Sequence, residues 1–152
     1  SSVHKQLHFK SVNAENRREV EGLTVFSEQA GFIESVSECL READELELWR
    51  PVGIYDSDTL IGFAMYGYFP EPAPGQLWLD RLLIDKRYQG KGYGKQAVLS
   101  LLDRLHTEYQ SGMVYLSVYE NNHHAIKLYQ QIGFRFNGKY DSKGEHIMEY
   151  HF

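Results

Sequence analysis

The spacing of apolar positions changes along the chain, and each change predicts an element. Residues 7–12 alternate apolar and polar side chains, the period of a half-buried strand. Asn13 can cap a helix predicted to run to about Glu28, with Val20, Leu23 and Phe26 on one side. Gly31 breaks the chain. A second helix is predicted from Phe32, Val36, Cys39, Leu40, Ala43 and Leu46, which recur every three or four residues, and Pro51 is expected to end it. Residues 52–55 and 60–68 read as a hairpin over Asp56-Ser57-Asp58.

The second half is sharper. Residues 69–75, with Pro and Gly, form a loop, and residues 76–85 a strand whose apolar middle suits burial on both faces. Glycines crowd positions 90–94. An amphipathic helix follows over residues 93–109, with Ala97, Leu101, Leu102 and Leu105 inward. Residues 114–118 are another buried strand. Asn121-Asn122 lead into a short helix that ends near Ile132 and stops at Gly133. Residues 134–140 and 146–151 close the chain as a hairpin over Ser142-Lys143-Gly144. The order is βααββ, βαβα, ββ: one α/β domain spanning residues 1–152 with a mixed sheet.

Composition narrows the function. With 152 residues and 42% hydrophobic content, the chain can bury the core of one domain. No run reaches the apolar length of a membrane span, and no basic-then-apolar leader opens it. The formal net charge of −5 argues against nucleic acid and suits a cationic partner. The single cysteine, Cys39, excludes an internal disulfide, fits a reducing cytoplasm, and sits at an apolar position as a packed thiol.

The chemistry centres on Gln89-Gly90-Lys91-Gly92-Tyr93-Gly94. A strand, a glycine-dense turn and a helix bring backbone N–H groups together on an anion, and Lys91 and Lys95 add positive charge. Alone, this is a phosphate-site candidate or merely a tight turn. It is not a P-loop, because Gln96 follows Gly94-Lys95 where Ser or Thr is needed. It is not a dinucleotide fingerprint, because the glycines are spaced by twos.

Gln89, Gly92 and Gly94 meet the Gln/Arg-x-x-Gly-x-Gly/Ala motif, and Asn122-x-x-Ala125-x-x-x-Tyr129-x-x-x-Gly133-Phe134 follows downstream. Together they resemble the GNAT superfamily of N-acetyltransferases. The resemblance implies a mixed, mostly antiparallel seven-stranded sheet with about four helices and two central parallel strands splayed apart around acetyl-CoA. It implies that backbone at Leu82 and Ile84 pairs with the pantetheine arm. N–H groups from Gln89 through Gly90, Lys91, Gly92, Tyr93 and Gly94 to Lys95 would hold the pyrophosphate. Asn122 and Ala125 would line the cofactor site, and Tyr129 would be the general acid that protonates the leaving thiolate. Core packing is the other reading of Tyr129.

The stretches Leu60-Ile-Gly-Phe-Ala-Met-Tyr66, Trp78-Leu-Asp80-Arg-Leu-Leu-Ile84 and Glu120-Asn-Asn122 are similar to bacterial spermine/spermidine N-acetyltransferases. Mammalian polyamine acetyltransferases carry Glu where Asp80 stands, which implies that Asp80 is the base or the amine ligand; pairing with Arg81 is the alternative. A second hint comes from residues 28–47, with seven acids and one base. Glu34, Glu38, Glu42 and Glu45 share a helix face, where like charges cost about 0.2–0.5 kcal/mol per pair. Either this is solvated surface, or Glu28, Glu34 and Glu38 bind the remote ammonium groups of a polyamine. Tyr66, Tyr68 and Trp78 are candidates for an amine tunnel or for the core. Another amine (a protein N-terminus, an aminoglycoside, a small amine) and a non-catalytic acetyl-CoA or polyamine sensor are the competing functions.

No metal is expected. Among the seven histidines, His123 and His124 diverge by about 100° on a helix, His146 and His151 face opposite sides of a strand, and His4 and His8 lie near the end. His124 can touch the cofactor. The strand over 146–151 is expected at a sheet edge, where it could pair with a second subunit.

Overall fold

A computed structural model describes residues 7–25 and 35–152. Its elements are β1 (His8–Ser11), α1 (Arg17–Glu21), α2 (Val36–Glu45), β2 (Trp49–Asp56), β3 (Thr59–Phe69), β4 (Gln76–Ile84), α3 (Tyr93–Tyr109), β5 (Met113–Val118), α4 (His123–Ile132), β6 (Arg135–Tyr140) and β7 (His146–His151). The seven strands form one sheet in the order β1-β2-β3-β4-β5-β7-β6. All neighbours are antiparallel except β4 and β5. Among the described residues, no helix is long and apolar enough to cross a membrane.

Each face of the sheet carries its own core. On one face Ala97, Val98, Leu101 and Leu105 of α3 pack on Ile61, Leu77, Val114 and Met148. On the other, Val20 of α1 and Val36, Cys39 and Leu40 of α2 pack on Phe63 and Met65. Burying a Leu- or Val-sized side chain is worth roughly 1.5–3 kcal/mol, so these residues outweigh local preferences.

Several expectations give way to local chemistry. The first described helix is short: Asn13 Oδ1 accepts from the N–H groups of Glu15 and Asn16, a turn rather than a helix cap, and the helix ends at Gly22. Helix α2 starts after Ser35, whose hydroxyl oxygen accepts from the Glu38 N–H at 3.2 Å. Phe26, Glu28, Gly31, Phe32, Glu34 and His4 lie outside the described residues. Pro51 does not stop α2, which ends at Glu45; it sits inside β2. Its carbonyl accepts from Val12 just past the end of β1, so the missing N–H faces that finished edge and removes no ladder bond. Nor is β7 an edge: it pairs with β5 on one side and β6 on the other, so β1 and β6 are the edges.

One irregularity matters for function. The β3–β4 register shifts so that Met65 faces Arg81 and Tyr66 faces Leu79, leaving Asp80 as the extra residue of a bulge. Before it, Leu77 and Leu79 enter the α3-side core; after it, Ile84 does, while Leu83 joins the α2-side core. The bulge reverses the alternation and sets Asp80 and Arg81 side by side.

Candidate active site

Strands β4 and β5 are joined by a single parallel pair, Trp78 opposite Tyr115, where the rings stack with centroids 5.2 Å apart. From Asp80 onward β4 pairs only with β3. The gap is the mouth of a cleft of about 750 Å³, bordered by Asp80 to Ile84 on one side and Ser117 to Tyr119 on the other. A strand edge left open inside a protein needs a ligand with polar groups of its own.

The glycine loop closes one end. Gly90 and Gly92 have φ of +79° and +82°, and a Cβ on either would meet nothing within 4 Å. Backbone here is exposed to whatever occupies the cleft. Gly92 caps α3 with no side-chain bond, and the first helical acceptor is used by Gln96 N–H. The N–H groups of Tyr93, Gly94 and Lys95 are therefore the helix's orphan donors, the arrangement that binds phosphate. Gln89 donates from Nε2 to the Ile84 carbonyl at 2.8 Å, tying loop to strand end. The Tyr93 hydroxyl donates to Asp56, so its side chain anchors the helix start while its backbone serves the loop. Lys95 lines the cleft. Lys91 does not; its ammonium stands 5.9 Å from the Tyr88 ring centroid.

Helix α4 supplies the opposite wall. Asn122 caps it, Oδ1 accepting from the Ala125 N–H at 3.4 Å, and Asn122, His124, Ala125 and Tyr129 all line the cleft. Tyr129 is buried and packs edge-on against Phe134 at 5.5 Å. Burial pushes its phenol up to about 12, so it remains a proton donor throughout the neutral range.

A second cavity of about 410 Å³ lies on the sheet face that carries Trp78, with Trp49, Phe69 and Trp78 as aromatic walls and Glu71, Asp141 and Lys143 at its rim. The two cavities share Asp80, Arg81, Ser117 and Glu145. Asp80 Oδ1 lies 3.1 Å from the Arg81 guanidinium, so the anticipated pairing forms at the junction of the two spaces.

Of the other predicted acceptor residues, Glu28 and Glu34 lie outside the described residues, and Glu38 and Tyr66 are away from both cavities. Glu38 is exposed on α2, accepting from the Ser35 hydroxyl at 3.0 Å, and lines neither cavity. Tyr66 is buried on the α3 side with its hydroxyl donating to Glu108, and Tyr68 stacks on Tyr109 beside it. Of the tunnel candidates, Trp78 is the one that lines either of these two cavities. Glu145 and Ser117 carry no motif and escape a sequence reading, because a hairpin and a strand bring them to Asp80 from distant positions.

The comparisons agree with this geometry. A model of the Acetyltransferase (GNAT) family matches residues 13–134. The chain is 46% identical over 146 residues to the spermine/spermidine N(1)-acetyltransferase of Bacillus subtilis, covering 93% of this chain and 96% of that protein. Spermidine N-acetyltransferase from Vibrio cholerae, solved in complex with CoA and spermine, has a TM-score of 0.73 at 18% identity over 96% of this chain and 95% of that one. An aminoglycoside N(6')-acetyltransferase from Legionella pneumophila has a TM-score of 0.77 at 16% identity over 96% and 92%. At these identities the two structures speak to the fold alone. With its splayed β4–β5 pair, its uncapped glycine loop and this relationship over nearly its whole length, the chain belongs to the GNAT family of acetyltransferases.

Proposed function

We propose that the chain transfers the acetyl group of acetyl-CoA to a primary amine of a polyamine such as spermidine or spermine, by direct attack in a ternary complex. The observation that carries this reading is the meeting of two cavities at Asp80 and Glu145. One is a cleft with phosphate-binding donors, the other an aromatic space rimmed with carboxylates. The 46% identity to the Bacillus subtilis enzyme supports the choice of amine.

Each residue then has a task. Loop N–H groups from Gln89 to Lys95 hold the pyrophosphate, while Leu82 and Ile84 backbone, Asn122 and Ala125 hold the pantetheine arm. The acceptor enters from the aromatic side, where Trp49 and Trp78 offer π faces to ammonium groups at about 0.5–2 kcal/mol each. Asp80 receives the reacting end. A free alkyl ammonium has a pKa near ~10.4, so exposing its lone pair at neutral pH costs roughly 4–5 kcal/mol unless a base removes the proton. The amine nitrogen then bonds to the thioester carbon, a cleft-side N–H of β4 stabilises the oxyanion, and the C–S bond breaks. Tyr129 gives its proton to the departing thiolate.

Glu38 lines neither cavity and has no contact with the amine in this reading. A cytoplasmic enzyme is the setting that suits this reaction. The test compares kcat/KM for spermidine, spermine, butylamine, an aminoglycoside and an N-terminal peptide, with release of free thiol as the readout. Spermidine and spermine are expected to exceed butylamine by at least about tenfold, one further ammonium contact being worth roughly 1.4 kcal/mol. Equal efficiencies would refute the polyamine assignment. Tight acetyl-CoA binding without turnover of any amine would favour a sensor.

A further inference from the structure

The hairpin between β6 and β7 is built around one carboxylate. Asp141 Oδ1 accepts from the N–H groups of Lys143 and Glu145, both at 2.9 Å. The turn is closed by Asp141 N–H to the Glu145 carbonyl at 2.9 Å and Gly144 N–H to the Asp141 carbonyl at 3.1 Å. Burial opposes the charge on Asp141, but these donors and the Ser117 hydroxyl outweigh it and hold its carboxyl below the ordinary value. The same turn places the Glu145 side chain against Asp141, carboxyl to carboxyl, and leaves it 8% exposed where the two cavities join.

Two acids at this junction therefore differ in kind. Asp80 faces a cation, Arg81, at 3.1 Å, and protonating it would weaken that contact. Glu145 faces an anion that its own hairpin keeps ionised. Burial first, then the charge and hydrogen bond of Asp141, push the Glu145 carboxyl up to about 7, against the opposing effect of Arg81 and Lys143. Of the two, Glu145 is the acid whose surroundings suit it to exchange a proton near neutrality.

We infer that Glu145 is the proton acceptor for the attacking amine, with Asp141 as its positioning partner and Asp80 as the ammonium ligand. This rests on the acetyl-transfer reading above. An ammonium N–H proton passes to Glu145 Oε, leaving a neutral amine and a carboxylic acid that donates to Asp141. The amine nitrogen bonds to the thioester carbon, and the C–S bond breaks as the thiolate takes the Tyr129 proton. The second proton of the acylated nitrogen passes through water to the Tyr129 oxygen, leaving a neutral amide and restoring the phenol. Glu145 later releases its proton to water through the aromatic cavity.

The test is spermidine acetylation by the full chain across the acid-to-neutral range, with acetyl-CoA affinity and melting temperature measured alongside. Wild-type kcat/KM should rise through a midpoint near 7. Glu145→Gln should lose that limb and about 100-fold in kcat while binding acetyl-CoA normally, as removal of a general base does. Its loss should be far smaller with a fluorinated amine that is already neutral at the assay pH. Asp141→Asn removes the charge that raises Glu145, so its limb should move toward acid. Glu145→Asp keeps a carboxylate and should retain a limb, which preserves the test if Glu145→Gln folds poorly. An unchanged limb and near-normal kcat in Glu145→Gln, or an equal loss with both amines, overturns the inference. A wild-type protein that acetylates no amine overturns the underlying reading instead.

Discussion

Gly92 and Gly138 share a backbone angle and differ in what they face. Both have φ of +82°, and a Cβ added to either meets nothing within 4 Å. Gly92 lines the cleft and caps α3; Gly138 lies in β6 and lines neither cavity. An L-residue in the left-handed region costs about 1–2 kcal/mol, so Ala at either site should destabilise the fold by that amount. For a chain of this size each kcal/mol lowers Tm by roughly 2–4 °C, which predicts a drop of about 2–8 °C in both variants. The ligand separates them. In the donor site proposed above, a methyl at position 92 enters the space assigned to the pyrophosphate and holds it off the N–H groups of Tyr93 and Gly94. Losing one hydrogen bond to a charged group, about 1.5–3 kcal/mol, weakens coenzyme A binding by roughly 10–100-fold. Thermal melts with and without coenzyme A, plus titration calorimetry, measure both quantities. If Gly92→Ala and Gly138→Ala bind coenzyme A equally well, the loop is only a turn and the pyrophosphate lies elsewhere.

Other substitutions probe the remaining parts. Tyr129→Phe should cut kcat by about 100-fold with acetyl-CoA affinity retained, and unchanged turnover in steady-state assays would exclude it as the acid. Because burial holds this phenol up to about 12, its ionisation should cause no loss of activity below that pH. Asp85 is 1% exposed and accepts from the N–H groups of Thr24 at 3.0 Å and Arg87 at 2.9 Å. Burial opposes its charge, yet the Arg87 and Thr24 donors hold its folded pKa below the model-peptide value. Its contribution to stability is therefore present above the unfolded value near ~3.8 and is lost as pH falls through the folded one. Asp85→Ala should cost about 2–3 kcal/mol in urea titrations at neutral pH, by leaving buried donors unpaired, and progressively less in acid. Glu71, exposed at the rim of the aromatic cavity, tests the recognition of distal ammonium groups. Glu71→Gln should raise the spermine KM about two- to fivefold at low salt and less at high salt, with kcat unchanged.

The backbone elements of the proposed donor site were legible because local rules govern them. Positive-φ glycines, a helix N-terminus and the Asn122 cap are properties of short contiguous segments, and their spacing survives folding unchanged. The length and inward positions of α3 and the end of α4 at Gly133 were visible for the same reason. The first two helices were harder to read: Asn13 formed a turn instead of a cap, and Pro51 passed into a strand because β1 had already ended beside it. The acidic stripe around Glu38 left two readings open, since charge pattern carries no information about which way a helix faces; in the fold Glu38 lines neither cavity.

By itself, then, the sequence determined the period of most elements, the glycine loop and the two linked motifs of the family. The acceptor side was decided only by tertiary structure. A bulge in β4 turned Asp80 and Arg81 onto one face, and the strand order brought β7 beside β5. The hairpin turn then set Glu145 against Asp141 and into the lining that both cavities share with Asp80, which lies 65 positions earlier (145 less 80). Proton affinity at that junction depends on burial, on Arg81 from β4 and on Asp141 and Lys143 from the turn, and no linear pattern records such distances.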